Sequence, residues 1–193
     1  AFITTKPIID NSDPFAALAF RFFFVAVGFL LFSLYFRYSI IIKRKNLIES
    51  VLSGILFHGL YLGGVFYSIS IGMPTSIAAL IVTLQPILTN ILSGPILNEK
   101  VTLKQWIGVL LGFLGATLVL GLDLGSKIPL LGLVATLIAL ISITASTIWQ
   151  KKLSNNLPLS VSNFYQAVGG CFFHILVVIF FAKPYITFTK TFL

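Results

Sequence analysis

In this 193-residue sequence the side chains able to do chemistry stand singly, each set into a long apolar run. His58 follows Phe57 directly and precedes Tyr61 by three positions. At helical spacing Gly54, His58, Tyr61, Val65 and Ser68 share one face. An imidazole between aromatic rings offers an amphipathic small molecule both a hydrogen bond and a stacking wall; the same face serves equally well as a polar contact to a neighbouring helix. Asn163, Gln166, Gly170 and His174 stand at offsets of 0, 3, 7 and 11. At 3.6 residues per turn they fall within a sector of about 80°. A polar stripe that narrow is expected to line a wet cavity ahead of merely gluing helices. Arg21 lies seven residues after Pro14, about 10 Å along a helix at ~1.5 Å per residue. It is expected to face inward, as a cation for a carboxylate or as half of a gating pair. Its alternative is to reach outward or to stack between Phe20 and Phe24. Gln85 precedes Pro86, whose missing N–H frees the carbonyl of Val82 and kinks the helix. The Gln85 amide then meets either a ligand or its own backbone.

Other chemistries find no support. There is no histidine pair at metal-ligand spacing and no glycine-rich phosphate loop, so neither a metal nor a cofactor is expected. The single Cys171 rules out an internal disulfide and a cysteine metal cluster. No acidic residue falls inside an apolar run, which leaves general acid–base catalysis without a pair and proton coupling with only His58 and His174. An enzyme is not expected.

The elements that position these residues follow from composition. The chain is 58% hydrophobic and 9% charged, where a soluble domain carries roughly a quarter of its residues as charges. The runs are long enough to cross a bilayer, for which about 20 apolar residues suffice, and they do not alternate as barrel strands do. Six spans are predicted: Pro14 to Phe36, Ser50 to Ile71, Thr75 to Leu97, Leu103 to Leu122, Ile128 to Gln150, and Pro158 to Ala182. Thirteen strongly apolar residues between Phe15 and Leu34 outweigh the ~2.5–3.5 kcal/mol that a central Arg costs on insertion. Gly108, Gly112, Gly115 and Ala116 form a small-residue face expected to pack against another helix.

The net charge of +8 does not form a nucleic-acid footprint, because the cations are scattered between spans. With alternating connectors, Arg37, Lys43, Arg44, Lys45, Lys100, Lys104, Lys151 and Lys152 fall on one side; Lys127, Lys183 and Lys190 fall on the other. The first side is therefore expected to be cytoplasmic. Trp106 and Trp149 stand at predicted helix ends on that same side, where indoles favour the interface.

Setting Pro14 against Pro158 aligns DPFAALAFRFF with LPLSVSNFYQA, so that Phe20 meets Phe164 and Arg21 meets Tyr165. The two segments enter the membrane from opposite sides, which makes the repeat inverted, a recurrent plan of secondary transporters with the site at the midplane.

Two stretches carry a closer likeness. TTKPIID followed by DPFAALAFRF, and PTSIAALIVTLQPILTNILSGPILNEKVTLKQWIGVLLGFLGATLVLG, together resemble the EamA-type family of the drug/metabolite transporter superfamily. The resemblance implies an all-α membrane protein, a polytopic helix bundle of two inverted five-helix repeats, of which about six and a half helices are present here. Residues 1–123 would hold the first repeat from the end of its first helix, and 124–193 the start of the second. The chain, in which Met73 is the only Met, is expected to be cut at both ends. The resemblance also implies that the helix of His58 lines the cavity, and that Glu99 and Lys6 match family positions. The expected function is export of small metabolites, amino acids or related compounds, by alternating access across a bacterial cell membrane. The partners are then the bilayer and a small-molecule substrate, with Arg21, Phe57, His58, Tyr61, Gln85, Asn163 and Gln166 as binding residues and a homodimer left open. A membrane scaffold without transport, and a nucleotide-sugar or phosphate-type carrier, are the alternatives.

Overall fold

The computed structural model describes residues 12–97, 101–120, 128–153 and 157–181. They form six helices: α1 Pro14–Tyr35, α2 Arg44–Ser70, α3 Thr75–Leu97, α4 Leu103–Leu120, α5 Leu130–Leu153 and α6 Leu159–Phe181. All of these except α4 are long and apolar enough to cross a membrane; the apolar part of α4 covers Leu103–Leu118. This is an all-α, multi-pass membrane protein. Lys6, Glu99, Lys100 and the 123/124 boundary between the expected repeats lie outside the described residues.

Local chemistry sets the helix ends. The Asp13 carboxylate accepts the Phe15 and Ala16 N–H groups at 3.0 and 2.9 Å, with Pro14 at the first helical position. Both features satisfy or remove orphan donors. At the far end of α1 the N–H of Tyr38 returns to the Ser33 carbonyl at 2.9 Å across Arg37, which is held at φ 55°. α2 closes in the same way, with Met73 N–H on the Ser68 carbonyl and Gly72 at φ 95°. This is the left-handed helix stop that glycine makes at least cost.

Two helices depart from α geometry. α2 begins at Arg44 rather than Ser50, because its polar first turns lie outside the apolar run, and it is π-helical over Ile55–Leu62. α3 is interrupted between Val82 and Gln85, one turn ahead of Pro86. There the Leu84 N–H bonds to Ile81, three residues back, and the Thr83 hydroxyl donates to the Leu80 carbonyl at 2.6 Å. The interruption falls in the turn before Pro86, where a proline kink is expected.

α1 runs antiparallel along α6: Phe15 lies beside His174, and the Tyr165 hydroxyl donates to the Ile40 carbonyl at 2.9 Å. Leu18, Phe22 and Ala26 are buried on α1, and the positions 144 residues later, Ser162, Gln166 and Gly170, are buried on α6. α2 packs between α5 and α6, and the two halves of α3 lie against α5 and α4. Leu18, Phe22, Val65, Phe66, Ile69, Met73, Ala78, Val82 and Ala139 form the core. These residues come from the ends of the helices expected to face outside.

Candidate functional site

α2 presents Phe57, His58 and Tyr61 from within its π-helical stretch. The Phe57 ring meets His58 edge-on at 5.0 Å and Tyr61 at 5.6 Å between centroids. His58 also lies 4.4 Å from the ring of Phe22 on α1. From α6, His174 enters the same cluster, stacked on Phe22 at 5.9 Å and tilted against Phe15 at 6.0 Å. Its Nε2 lies 2.9 Å from the carbonyl oxygen of His58. A carbonyl can only accept, so Nε2 carries the proton and Nδ1 is the bare acceptor. Among the described residues neither histidine has a partner at Nδ1, and both of those atoms are buried. Three helices thus meet around two imidazoles and the phenyl rings of Phe15, Phe22 and Phe57.

The α6 stripe behaves differently from expectation. Asn163 is half-buried, whereas Gln166 and His174 are 3% and 0% exposed. Gln166 Nε2 donates to the Ser162 hydroxyl at 3.0 Å within its own helix. A methyl group on Gly170 would run into the Cβ of His58, and one on Gly54 into the backbone of Gln166. The stripe is therefore a helix contact, made close by glycine, and not a cavity wall among the described residues. Arg21 also departs from expectation. It is exposed, with its guanidinium carbon 5.8 Å from the Phe22 ring centroid. Among the described helices it does not face the interior, because the inward positions of α1 are Leu18 and Phe22 on either side of it.

Gln85 joins a second locus. At the α3 break its Nε2 donates to Thr89 Oγ1 at 3.1 Å and to Thr147 Oγ1 of α5 at 3.3 Å, so it bonds side chains rather than backbone. A cavity of about 610 Å³ opens between α3 and α4, lined by Gln85, Thr83, Asn90 and Gln105 together with Gly108 and Gly112. The Nδ2 of Asn90 is buried there without a partner among the described residues. The α4 glycines, expected as a packing face, have nothing among the described residues within reach of an added Cβ, and Gly108 and Gly112 line this cavity. Gln105 is held by a capping box, its Oε1 accepting from Thr102 N–H at 2.7 Å.

A second cavity of about 610 Å³ lies among α2, α3 and α5, lined mainly by aliphatic side chains, with Glu49 and Trp149 on its border. Residues that sequence reasoning passed over therefore include Thr83, Asn90 and Thr147, and the pairing of His174 with His58. Small residues stand on both sides of that contact: Gly54, Gly59 and Gly63 of α2 face Gln166, Phe173 and His174 of α6, and Gly169 and Gly170 of α6 face Val51 and His58 of α2.

This arrangement supplies aromatic, amide and hydroxyl groups at the level of a helix break and a π-stretch. Such groups can hold a small molecule. The comparisons with known proteins agree with that chemistry. The sequence is similar to the uncharacterized transporter YvbV of Bacillus subtilis, 26% identical over 149 residues, a match covering 73% of this chain and 47% of that protein. It is also similar to the uncharacterized transporter YyaM of the same organism, 28% identical over 196 aligned positions, covering 95% of this chain and 61% of that protein. The chain thus spans about half to three-fifths of the length of these relatives. The sequence pattern of the EamA-like transporter family matches residues 1–121, more than half of the chain. The chain belongs to the EamA-like transporter family.

Proposed function

We propose that this chain forms the first repeat and the start of the second in a bacterial cell-membrane carrier that exports small metabolites, amino acids or related compounds, by alternating access. The observation that carries the reading is the uneven packing of the helix ends. Toward the side expected to face outside, α1, α2, α3 and α5 close on the core of Leu18, Val65, Ile69, Met73, Ala78 and Ala139. Toward the side expected to be cytoplasmic, α2, α3 and α5 part around the cavity bordered by Glu49 and Trp149. A bundle shut at one face and open at the other matches one of the two states that an inverted-repeat carrier alternates between. Burial repeating 144 residues apart on the antiparallel pair α1 and α6 supports the repeat. Phe57, His58 and Tyr61, together with Gln85, are the groups this reading assigns to substrate, with Arg21, Asn163 and Gln166 as further candidates.

The test is efflux from cells, or uptake into everted vesicles, that contain the full-length protein, across a panel of amino acids and related metabolites. Saturable, protein-dependent movement of at least one compound is expected; none across the panel would overturn the reading. One observation favours a scaffold without transport, namely the dry packing of Gln166 and His174. The same assay separates the two.

A further inference from the structure

The π-helical stretch of α2, Ile55–Leu62, contains no proline and no residue that by itself disfavours an α-helix beyond Gly59. Its geometry has to be held from outside. π-turns are rare, occur mostly as short bulges, and are found frequently at functional positions. They widen the helix and leave carbonyls accessible to external donors, as side chains inserted into a helix ladder do elsewhere. Where the stretch ends, the Gly63 N–H turns back to the carbonyls of Gly59 and Leu60. The His58 carbonyl, just upstream, receives His174 Nε2 from α6 at 2.9 Å.

Everything around that bond fixes the donor. His174 is 0% exposed, between Phe15 and Phe22, and an added Cβ on Gly63 would come within 3.1 Å of its ring. Gly170, one turn before it on α6, leaves room for His58 itself. The imidazole has one rotational setting and offers one N–H to one carbonyl. We infer that His174 is a positioning residue: its hydrogen bond to the His58 carbonyl holds α2 in the π register that aims His58 and Tyr61. Without it the stretch returns to α geometry. The helix is then re-indexed by one residue, which turns the downstream half by about 100° at 3.6 residues per turn. The bond ties a helix of the first proposed repeat to one of the second, so that the seating of α2 on α6 and the register of the His58 face are coupled. Only the transport consequence of this inference rests on the carrier reading; the register itself does not.

The experiment is hydrogen–deuterium exchange of the protein in nanodiscs, read over residues 55–63, for the wild type, His174→Phe and His174→Gln. Phe keeps the ring and removes the donor; Gln restores an N–H at similar reach. Exchange over 55–63 is expected to change at least tenfold in His174→Phe and to return to within about threefold of wild type in His174→Gln. Gly170→Ala keeps both histidines in the chain but forces α6, and His174 with it, away from His58, and it should reproduce the Phe pattern. That variant keeps the test open if His174→Phe does not fold. Single cysteines placed through 55–62 in a Cys171→Ala background give a second readout, since a register change exchanges the positions that react with a membrane-impermeant thiol reagent. Wild-type exchange and labelling in His174→Phe and Gly170→Ala would overturn the inference, as would failure of His174→Gln to rescue. Because neither readout requires transport, loss of the latch and loss of the carrier reading appear as separate results.

Discussion

Alanine in place of glycine raises helix propensity by about 0.8–1.0 kcal/mol wherever the added methyl meets nothing. Gly28 in α1 is such a position: nothing lies within 4 Å of the place its new methyl group would take. Gly54 in α2 is the opposite. There the new Cβ would fall inside the contact distance of the Gln166 carbonyl oxygen, Cα and carbonyl carbon, all of them backbone. Backbone cannot rotate away, so α2 and α6 must separate locally, and overpacking of this kind costs about 1–3 kcal/mol. Separation also pulls on the Ser53 and Ser146 hydroxyls, 3.0 Å apart on the adjoining α2–α5 contact. Less the propensity gain, Gly54→Ala is destabilised by about 0–2 kcal/mol and Gly28→Ala stabilised by up to about 1 kcal/mol. The informative quantity is their difference, about 1–3 kcal/mol, because propensity cancels from it. For a chain of this size that corresponds to roughly 2–12 °C in midpoint at 2–4 °C per kcal/mol. Thermal unfolding of both variants in one detergent or nanodisc preparation measures it. If Gly54→Ala melts at or above Gly28→Ala, the close backbone approach of α2 to α6 is wrong, and the positioning role of His174 loses its geometric basis.

Further outcomes follow from single positions. Arg21→Ala and His58→Ala should lower transport by the full-length protein while insertion stays intact. For Arg21 the substitution relieves a cost of about 2.5–3.5 kcal/mol, so falling membrane yield rather than falling transport would count against its role. Gly72 sits at φ 95° in the turn after α2, so Gly72→Ala should cost about 1–2 kcal/mol, seen as a lowered unfolding midpoint even though no side chain crowds it. Gln85→Leu removes the donor shared by Thr89 and Thr147. Interhelical bonds in membranes average about 0.6 kcal/mol, so a small stability change with a clear loss of transport is expected, and a large stability change with unaltered transport would make Gln85 structural.

The helices were legible because membrane solvent leaves few choices: an apolar run of the right length must be a helix, and Asp13–Pro14, Gly72 and Pro86 punctuate those runs by rules that act within a few residues. Contacts were less legible. Gly108, Gly112 and Gly115 have the small-residue spacing but no described neighbour, whereas Gly54, Gly59 and Gly63 of α2 and Gly169 and Gly170 of α6 each meet the other helix. Counting polar residues on the α6 face suggested water; the glycine and serine beside them were the stronger signal, since Ser160, Ser162, Gly169 and Gly170 are all buried. The π-stretch left no mark at all. Ile-Leu-Phe-His-Gly-Leu-Tyr-Leu is ordinary helix-forming material apart from its glycine, and its register is set by a donor more than a hundred positions away.

That division of contacts bears on which part of the bundle can move. Where α2 meets α6, glycine brings the two backbones together, and an interface of that kind has no slack for sliding. The inner half of α3, Gln85–Leu97, is in the opposite situation. It follows a break at Thr83–Leu84, borders both cavities of about 610 Å³, and reaches α5 by the Gln85–Thr147 bond of 3.3 Å. If alternating access operates here, rocking should be taken up at that break while α1, α2 and α6 travel together. Spin labels at Leu92 and Ala145, on facing walls of the α2–α3–α5 cavity, should then give a broad distance distribution that narrows or shifts when a transported compound is added. Labels at Phe24 on α1 and Phe172 on α6, both exposed on the tightly joined pair, should give one narrow distance that does not respond. A responsive α1–α6 distance beside a fixed α3–α5 distance would place the motion at the α1–α6 contact, and would mean that close packing there marks a sliding surface rather than a rigid one.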